Sequence, residues 1–322
     1  MEYSAESWSD RPTTIKRVTP REPNLFLVGS MRSGTTALHE LLSSHGQIFM
    51  SEFKEPAYFT DPAELAADSR IVFEAGYSGN LRSYLSLFDA ATDEIYVGES
   101  STHYTKLPRI TGVADRIYAT TPDARILYLV RDPVDRTVSH YRFAVKRKTE
   151  RRGMLHALRD NPFYVSVSNY ALQLRQYLET FGDDQVRVVV LEELIAKPDH
   201  VLNQLTAWLG IERFEDPRLP VRNAVPTSLM RARGPQLLHR LGHSHRYQEL
   251  ASKWLPEGLR RWVRATLTRP VFHEELIDDD VVSYLRSVLD PTIEELAILT
   301  GRSYEIWSNP EPSDSSPGPN ND

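Results

Sequence analysis

With 322 residues, of which 40% are hydrophobic and 25% charged, the chain has enough apolar side chain for a sizeable core and too mixed a composition for a fibrous or wholly disordered protein. Its formal net charge of −6 provides no overall field that would attract nucleic acid, so any anion site has to be local. Cysteine is absent, which excludes disulfides, thiolate nucleophiles and cysteine-ligated metals and fits a reducing compartment.

Residues 1–22 are polar, rich in Pro, Ser and Thr and free of the apolar run a secretion signal needs, so a flexible leader is expected. No segment reaches the ~20 consecutive apolar residues of a membrane span, and a cytoplasmic location is expected. The run Leu25-Phe26-Leu27-Val28 is short, wholly apolar and closed by Gly29, as a buried parallel strand would be. A helical pattern follows, with Leu38, Leu41 and Leu42 on one face and a stop near His45-Gly46. Further strands are expected at Ile95–Val97, Ile126–Val130 and Val186–Leu191, and helices at Arg109–Ala119, Val134–Val145, Tyr170–Phe181 and Leu194–Leu209. This alternation predicts an α/β fold, a P-loop-like parallel β-sheet flanked by helices on both faces. The C-terminal part, residues 234–300, is helical in pattern, with Pro291 placed at the start of the last helix. Residues 308–322 are proline-rich and polar, a disordered tail. No linker or repeat divides residues 23–307, which read as one domain.

The segment Asn24–Leu42 reads NLFLVGSMRSGTTALHELL. A strand enters the loop Gly29-Ser30-Met31-Arg32-Ser33-Gly34-Thr35-Thr36, and an amphipathic helix leaves it. Glycines at both ends let the backbone turn tightly and aim successive N–H groups inward, where the helix N-terminus adds partial positive charge. Hydroxyls of Ser33, Thr35 and Thr36 complete a cage suited to a phosphate. The glycine spacing is that of a nucleotide phosphate loop, yet Thr35 stands where a nucleoside triphosphatase has lysine. The loop's cation is Arg32 instead, so a ligand with another charge placement is expected.

Residues 126–142, ILYLVRDPVDRTVSHYR, repeat the arrangement. Arg131 stands at a strand's carboxyl end, Asp132-Pro133 opens a helix and Ser139 lies two turns in. Ligands of open α/β sheets bind beyond the carboxyl ends of the strands, which places Arg131 beside the first loop. A scaffold ion pair of Arg131 with Asp132 or Asp135 is the alternative. GSMRSGTT followed by LVRDPVDRTVSHY resembles the sulfotransferase superfamily, in particular its bacterial and Golgi carbohydrate-type branch with the heparan sulfate enzymes. The resemblance spans roughly residues 23–210. It implies 3′-phosphoadenosine-5′-phosphosulfate (PAPS) as sulfuryl donor and PAP as product, without a metal. Arg32, Ser33, Gly34, Thr35 and Thr36 would then hold the 5′-phosphosulfate, and Arg131 with Ser139 the 3′-phosphate. The family's loop usually carries lysine at the position of Arg32; arginine keeps the charge but cannot give up its proton.

In-line sulfuryl transfer requires a general base for the acceptor's proton. Lys54-Glu55-Pro56-Ala57-Tyr58-Phe59 resembles the segment that supplies the branch's catalytic glutamate, which implies Glu55 as base, with Lys54 neutralising donor charge or supporting Glu55. A solvated Lys–Glu pair is the bland reading. The rival base is His103, which follows the expected strand at Ile95–Val97 and has an imidazole's suitable pKa. The lysine that heparan-type enzymes carry just after the position of Glu99 is missing here. Arg231 and Arg233, on a basic loop, either touch a donor phosphate or are solvated, and Tyr170 either lines the adenine pocket or packs in the core. The basic run Lys146–Lys148 with Arg151 and Arg152 attracts an anionic acceptor or is a solvated helix end. The expected acceptor is a hydroxyl or an amine of a glycan or small molecule, and nucleic acid is not an expected partner. A P-loop kinase or hydrolase using ATP and magnesium, and a non-catalytic nucleotide-binding module, are the competing classes.

Overall fold

The computed structural model describes residues 21–67, 79–217, 228–232, 268–272 and 277–307. Strand β1 (Leu25–Gly29) is buried along its whole length. It pairs in parallel with β3 (Tyr96–Ser101) on one side and β4 (Arg125–Val130) on the other. The outer strands β2 (Ile48–Met50) and β5 (Val186–Val190) complete a five-stranded sheet of order β2-β3-β1-β4-β5, all parallel. The helices are α1 (Thr35–Ser43), α2 (Pro62–Ala67), α3 (Leu81–Leu85), α4 (Val113–Thr120), α5 (Pro133–Lys146), α6 (Met154–Asp160), α7 (Phe163–Ser166), α8 (Tyr170–Phe181), α9 (Leu191–Ala196), α10 (Pro198–Leu209) and α11 (Asp279–Thr300).

The continuous apolar runs are explained by the two faces. Phe26, Val28, Ile126 and Tyr128 join one core with Tyr84, Ile117, Leu174 and Tyr177 of α3, α4 and α8. Leu25, Leu27, Leu127 and Leu129 point the other way and pack on Leu38 and Leu42 of α1 and Leu202 and Leu205 of α10. Each such fully buried side chain contributes roughly 2 kcal/mol. A third cluster gathers Val138 of α5, Leu158 of α6 and Leu285 and Leu289 of α11.

Four expectations change. The helix expected over Leu194–Leu209 is two helices, broken at Lys197-Pro198, because proline's ring and missing N–H cannot continue the α9 ladder. Helix α4 begins at Val113 rather than Arg109, after Gly112 at φ 64°. Pro291 lies inside α11, which begins at Asp279 with Asp278 as its cap. Burial of Val281, Leu285, Leu289 and Leu296, roughly 2 kcal/mol each, outweighs the ~3 kcal/mol cost of an interior proline. Within the stretch expected to be helical, Thr268–Phe272 forms strand β7, antiparallel to β6 (Ser228–Ala232). Its Thr, Val and Phe favour a pleated strand, and Pro270 opposes a helix. The remainder of residues 234–276, and the leader at residues 1–20, lie outside the described residues.

The register places the site. Because β1 lies between β3 and β4, with Val28 opposite Ser101 and Gly29 opposite Leu129, the loop after β1 is flanked by the junctions that follow both neighbours. The chain runs outward from β1 in two directions, the switch point at which open α/β sheets form their crevice.

Candidate active site

The loop between β1 and α1 is shaped by close approach. A Cβ on Gly29 would lie 2.6 Å from the Leu129 carbonyl of β4, and Gly34 caps α1 at φ 92° with Leu191 packed against it. Ser33 N–H donates to the Ser30 carbonyl at 3.1 Å, closing the turn. The amides of Thr35 and Thr36 open the first turn of α1, where helix geometry leaves N–H groups without an intrahelical acceptor. The loop therefore presents donors and partial positive charge to whatever lies beyond the sheet. Ser33 is completely buried and Thr35 nearly so, which leaves Thr36 as the part-exposed hydroxyl of the expected cage.

At the neighbouring junction, Asp132 caps α5 by accepting from Asp135 N–H at 2.8 Å, and Pro133 occupies the first turn. Arg131 donates to the Arg32 carbonyl at 3.3 Å, which sets it beside the first loop, and pairs with Asp135 at 3.3 Å, the scaffold ion pair offered as the alternative. Asp132 pairs instead with Arg286 of α11 at 3.6 Å. Arg32, at φ 75°, turns toward this side: its Nε donates to Ser139 Oγ at 3.0 Å and its guanidinium lies 5.2 Å from the Phe143 ring centre. Burial, then the Arg131 charge, lowers its pKa. The two anion motifs are thus in direct contact.

On the other flank, Lys54 Nζ donates to Thr35 Oγ1 at 3.3 Å and Thr36 Oγ1 at 3.2 Å, and lies 4.0 Å from Glu55. The cation against the threonines is therefore Lys54, while Arg32 faces Ser139. Burial lowers the Lys54 pKa, opposed by Glu55 and Glu40. Glu55 N–H donates to the Ser100 carbonyl at 2.8 Å, extending the edge of β3, and Glu55 itself sits at φ 64°. Its Oε2 accepts from Thr102 N–H at 2.6 Å and Thr102 Oγ1 at 3.0 Å and lies 3.3 Å from His103 Nδ1. Burial pushes this carboxyl up, but His103, Lys54 and the Thr102 amide outweigh it and hold the pKa below the ordinary carboxylate value. The two candidate bases are thus neighbours in one unit. Strained left-handed conformations at Arg32 and Glu55, each non-glycine, mark both ends of the cleft.

Tyr170 is buried in the core, with its hydroxyl donating to the Arg131 carbonyl at 2.8 Å. Arg231 lies on β6 and its side chain falls outside the described residues, as does Arg233 altogether. Three groups were not singled out from sequence. Glu99 is fully buried on β3, accepts from Tyr84 and Tyr104 hydroxyls at 2.7 and 2.8 Å, and is pushed by burial to a pKa of about 8. His39 of α1 lies 2.6 Å from Ser100 Oγ, and burial followed by the Lys54 charge pulls its pKa to about 4. Arg136, inside the second motif, is completely buried. A carboxylate in the middle of a strand expected to be buried, as in Val97-Gly98-Glu99, is the signal that would have found the first of these.

Comparison with known proteins settles the family. A model described as "Sulfotransferase family" matches residues 23–216, more than half of the chain. The chain belongs to the sulfotransferase family. It is 30% identical over 127 residues to a membrane-associated sulfotransferase of Dictyostelium discoideum, covering 38% of this chain and 23% of the relative. It is 24% identical over 272 residues to human carbohydrate sulfotransferase 15, covering 66% and 48%. With human heparan sulfate glucosamine 3-O-sulfotransferase 3B1 it shares 25% identity over 202 residues, covering 60% and 47%. The chain thus spans less than half the length of each of these relatives. The crystal structure of a sulfotransferase from Alicyclobacillus acidocaldarius superposes with a TM-score of 0.61 at 24% identity, over 90% of this chain and 100% of that one. That likeness confirms the α/β fold. Among the described residues no helix is long and apolar enough to cross a membrane.

Proposed function

We propose that this sulfotransferase cleft binds PAPS across the β1 and β4 junctions and transfers its sulfuryl group to a glycan hydroxyl. The observation that carries the reading is the continuous run of contacts from Ser139 through Arg32 and the loop to Thr35, Thr36, Lys54 and Glu55. Cations at both ends of a loop of free amides suit a nucleotide with phosphate groups at two positions, and a carboxylate at one end suits removal of a proton there. Arg131 and Ser139 would hold the 3′-phosphate. The amides and hydroxyls of Thr35 and Thr36, with Lys54, would hold the 5′-phosphosulfate, and Arg32 would span the two sites.

In the reaction, Glu55 takes the acceptor's hydroxyl proton while the acceptor oxygen bonds to sulfur. The bond between sulfur and the bridging 5′-phosphate oxygen breaks, and its electron pair leaves with PAP. Lys54 stabilises charge accumulating on the transferring group and that bridging oxygen. His103, Thr102 and Ser101 anchor Oε2 and orient the carboxylate, so a lowered pKa keeps Glu55 ionised and ready at neutral pH. Glycan acceptors are supported by the relatives named for carbohydrate and heparan sulfate substrates. The kinase reading loses its footing with the family assignment.

Two measurements test this. PAP should raise the thermal unfolding midpoint more than ATP with magnesium does, and label should pass from sulfur-35 PAPS to a member of a glycan acceptor panel. Stronger stabilisation by ATP–magnesium would sink the donor assignment.

A further inference from the structure

Arg136 stands on α5 one turn before Ser139 and is 0% exposed, among the largest fully buried side chains of the protein. Its acceptors are hydroxyl and carbonyl oxygens, and one edge lies beside His140. Nε donates to Ser168 Oγ, and Nη1 donates to the Met31 carbonyl at 3.3 Å and lies 3.4 Å from His140 Nδ1. Nη2 donates to the Tyr164 carbonyl and to Thr137 Oγ1 at 3.2 Å. Among the described residues no carboxylate pairs with it, and its charged neighbour is another cation, Arg131. Burial lowers its pKa to about 10, which leaves it charged at neutral pH.

A buried charge without a counter-charge is costly, and proteins normally neutralise it with a carboxylate. Among the described residues the hydrogen bonds are satisfied but the charge is not. Two of the anchors explain where the missing negative charge belongs. Arg136 holds the Met31 carbonyl and Arg131 holds the Arg32 carbonyl, so consecutive carbonyls of the phosphate loop are drawn to the α5 side. In a trans peptide the next N–H points the opposite way, so the Arg32 amide is turned away from Arg136. The same guanidinium thus shapes the loop and adds a fixed positive field behind it.

We infer that Arg136 is a positioning residue for the donor nucleotide, a buried cation whose counter-charge is the nucleotide's phosphate groups rather than a protein carboxylate. The inference rests on the nucleotide-binding reading above. It separates charge from scaffolding, since lysine keeps the first and loses most of the five-donor bracing.

The test measures PAP affinity by calorimetry and ligand-free thermal unfolding for the wild-type chain, Arg136→Lys, Arg136→Met and Ser168→Ala. Arg136→Met should weaken PAP about 30-fold or more, and Arg136→Lys should restore affinity to within about fivefold of wild type while unfolding at a lower temperature. Ser168→Ala, which removes one brace and no charge, should leave PAP affinity nearly unchanged. Equal losses in the lysine and methionine variants, or a loss in Ser168→Ala as large as in Arg136→Met, would overturn the charge role. If Arg136→Met does not fold, the lysine and Ser168→Ala results decide alone. A wild-type chain that binds no PAP defeats the nucleotide reading itself, whereas a binding wild type with indifferent variants defeats only the role of Arg136.

Discussion

The two flanks of the phosphate loop are built differently. On the β4–α5 side, Arg131, Asp132, Pro133 and Ser139 are held by a strand end, a helix cap and helix periodicity. On the β3 side, Lys54 and Glu55 sit on an irregular segment with Glu55 and Ala57 in left-handed conformations, fastened where Thr102 N–H donates to the Glu55 carboxylate and Glu55 N–H donates to the Ser100 carbonyl. Regular elements place charges cheaply and suit a site that has to bind. Strained backbone persists only where the surroundings over-determine it, and it aims a single carboxylate that a helix or strand would have pointed elsewhere. On the function proposed above, one flank would serve affinity and the other chemistry.

That division can be broken most directly at Glu55. Glu55→Gln should lower turnover about 10²–10⁴-fold and leave PAP affinity within about threefold, as read by labelled transfer and calorimetry. Unchanged turnover would move the base to His103. The opposite signature belongs to the other flank. Arg131→Ala should weaken PAP by about 1.5–3 kcal/mol, the worth of a charge-assisted hydrogen bond, and Ser139→Ala by less, with kcat at saturating donor near wild type. A kcat loss without weaker PAP binding would contradict the partition.

The buried acid beneath the β3 flank sharpens it through pH. Burial raises Glu99 to about 8, above its unfolded value near 4.5, so between those values the folded state holds the extra proton. Stability should therefore fall as pH rises from about 4.5 through 8, by on the order of a few kcal/mol. Glu99→Gln, which keeps an uncharged side chain of similar shape, should flatten that slope in denaturant titrations, and a slope unchanged in the variant would remove Glu99 as its source. The smallest effect is expected at Ala57, buried at φ 52°. Ala57→Gly should relieve the left-handed strain and raise stability by about 0.5–1 kcal/mol.

Much of the β4–α5 flank was legible in the sequence, because local rules build it. An apolar strand run, the Asp-Pro helix start and the spacing from Arg131 to Ser139 all act within a few residues, and the structure reproduces them. The Glu55 flank was legible only through family resemblance. Its bonds join residues far apart in the chain, such as Glu55 and Thr102, and no local pattern encodes a left-handed glutamate. Arg136 lies within the second motif, yet its burial is not legible there, since an arginine on an amphipathic helix ordinarily reads as solvent-exposed.

Hydrophobic periodicity and turn chemistry sufficed to determine the alternating strands and helices, the parallel sheet and the loop that opens α1, because these depend on side-chain parity and backbone conformations available to glycine and proline. Tertiary structure alone decided the strand order that puts β1 between β3 and β4. It also decided the exchange that turns Arg32 toward Ser139 and Lys54 toward the threonines, and the burial of Arg136 with no carboxylate beside it among the described residues. These depend on which distant surfaces exclude water from one another, and electrostatics in a dry site is set by that exclusion.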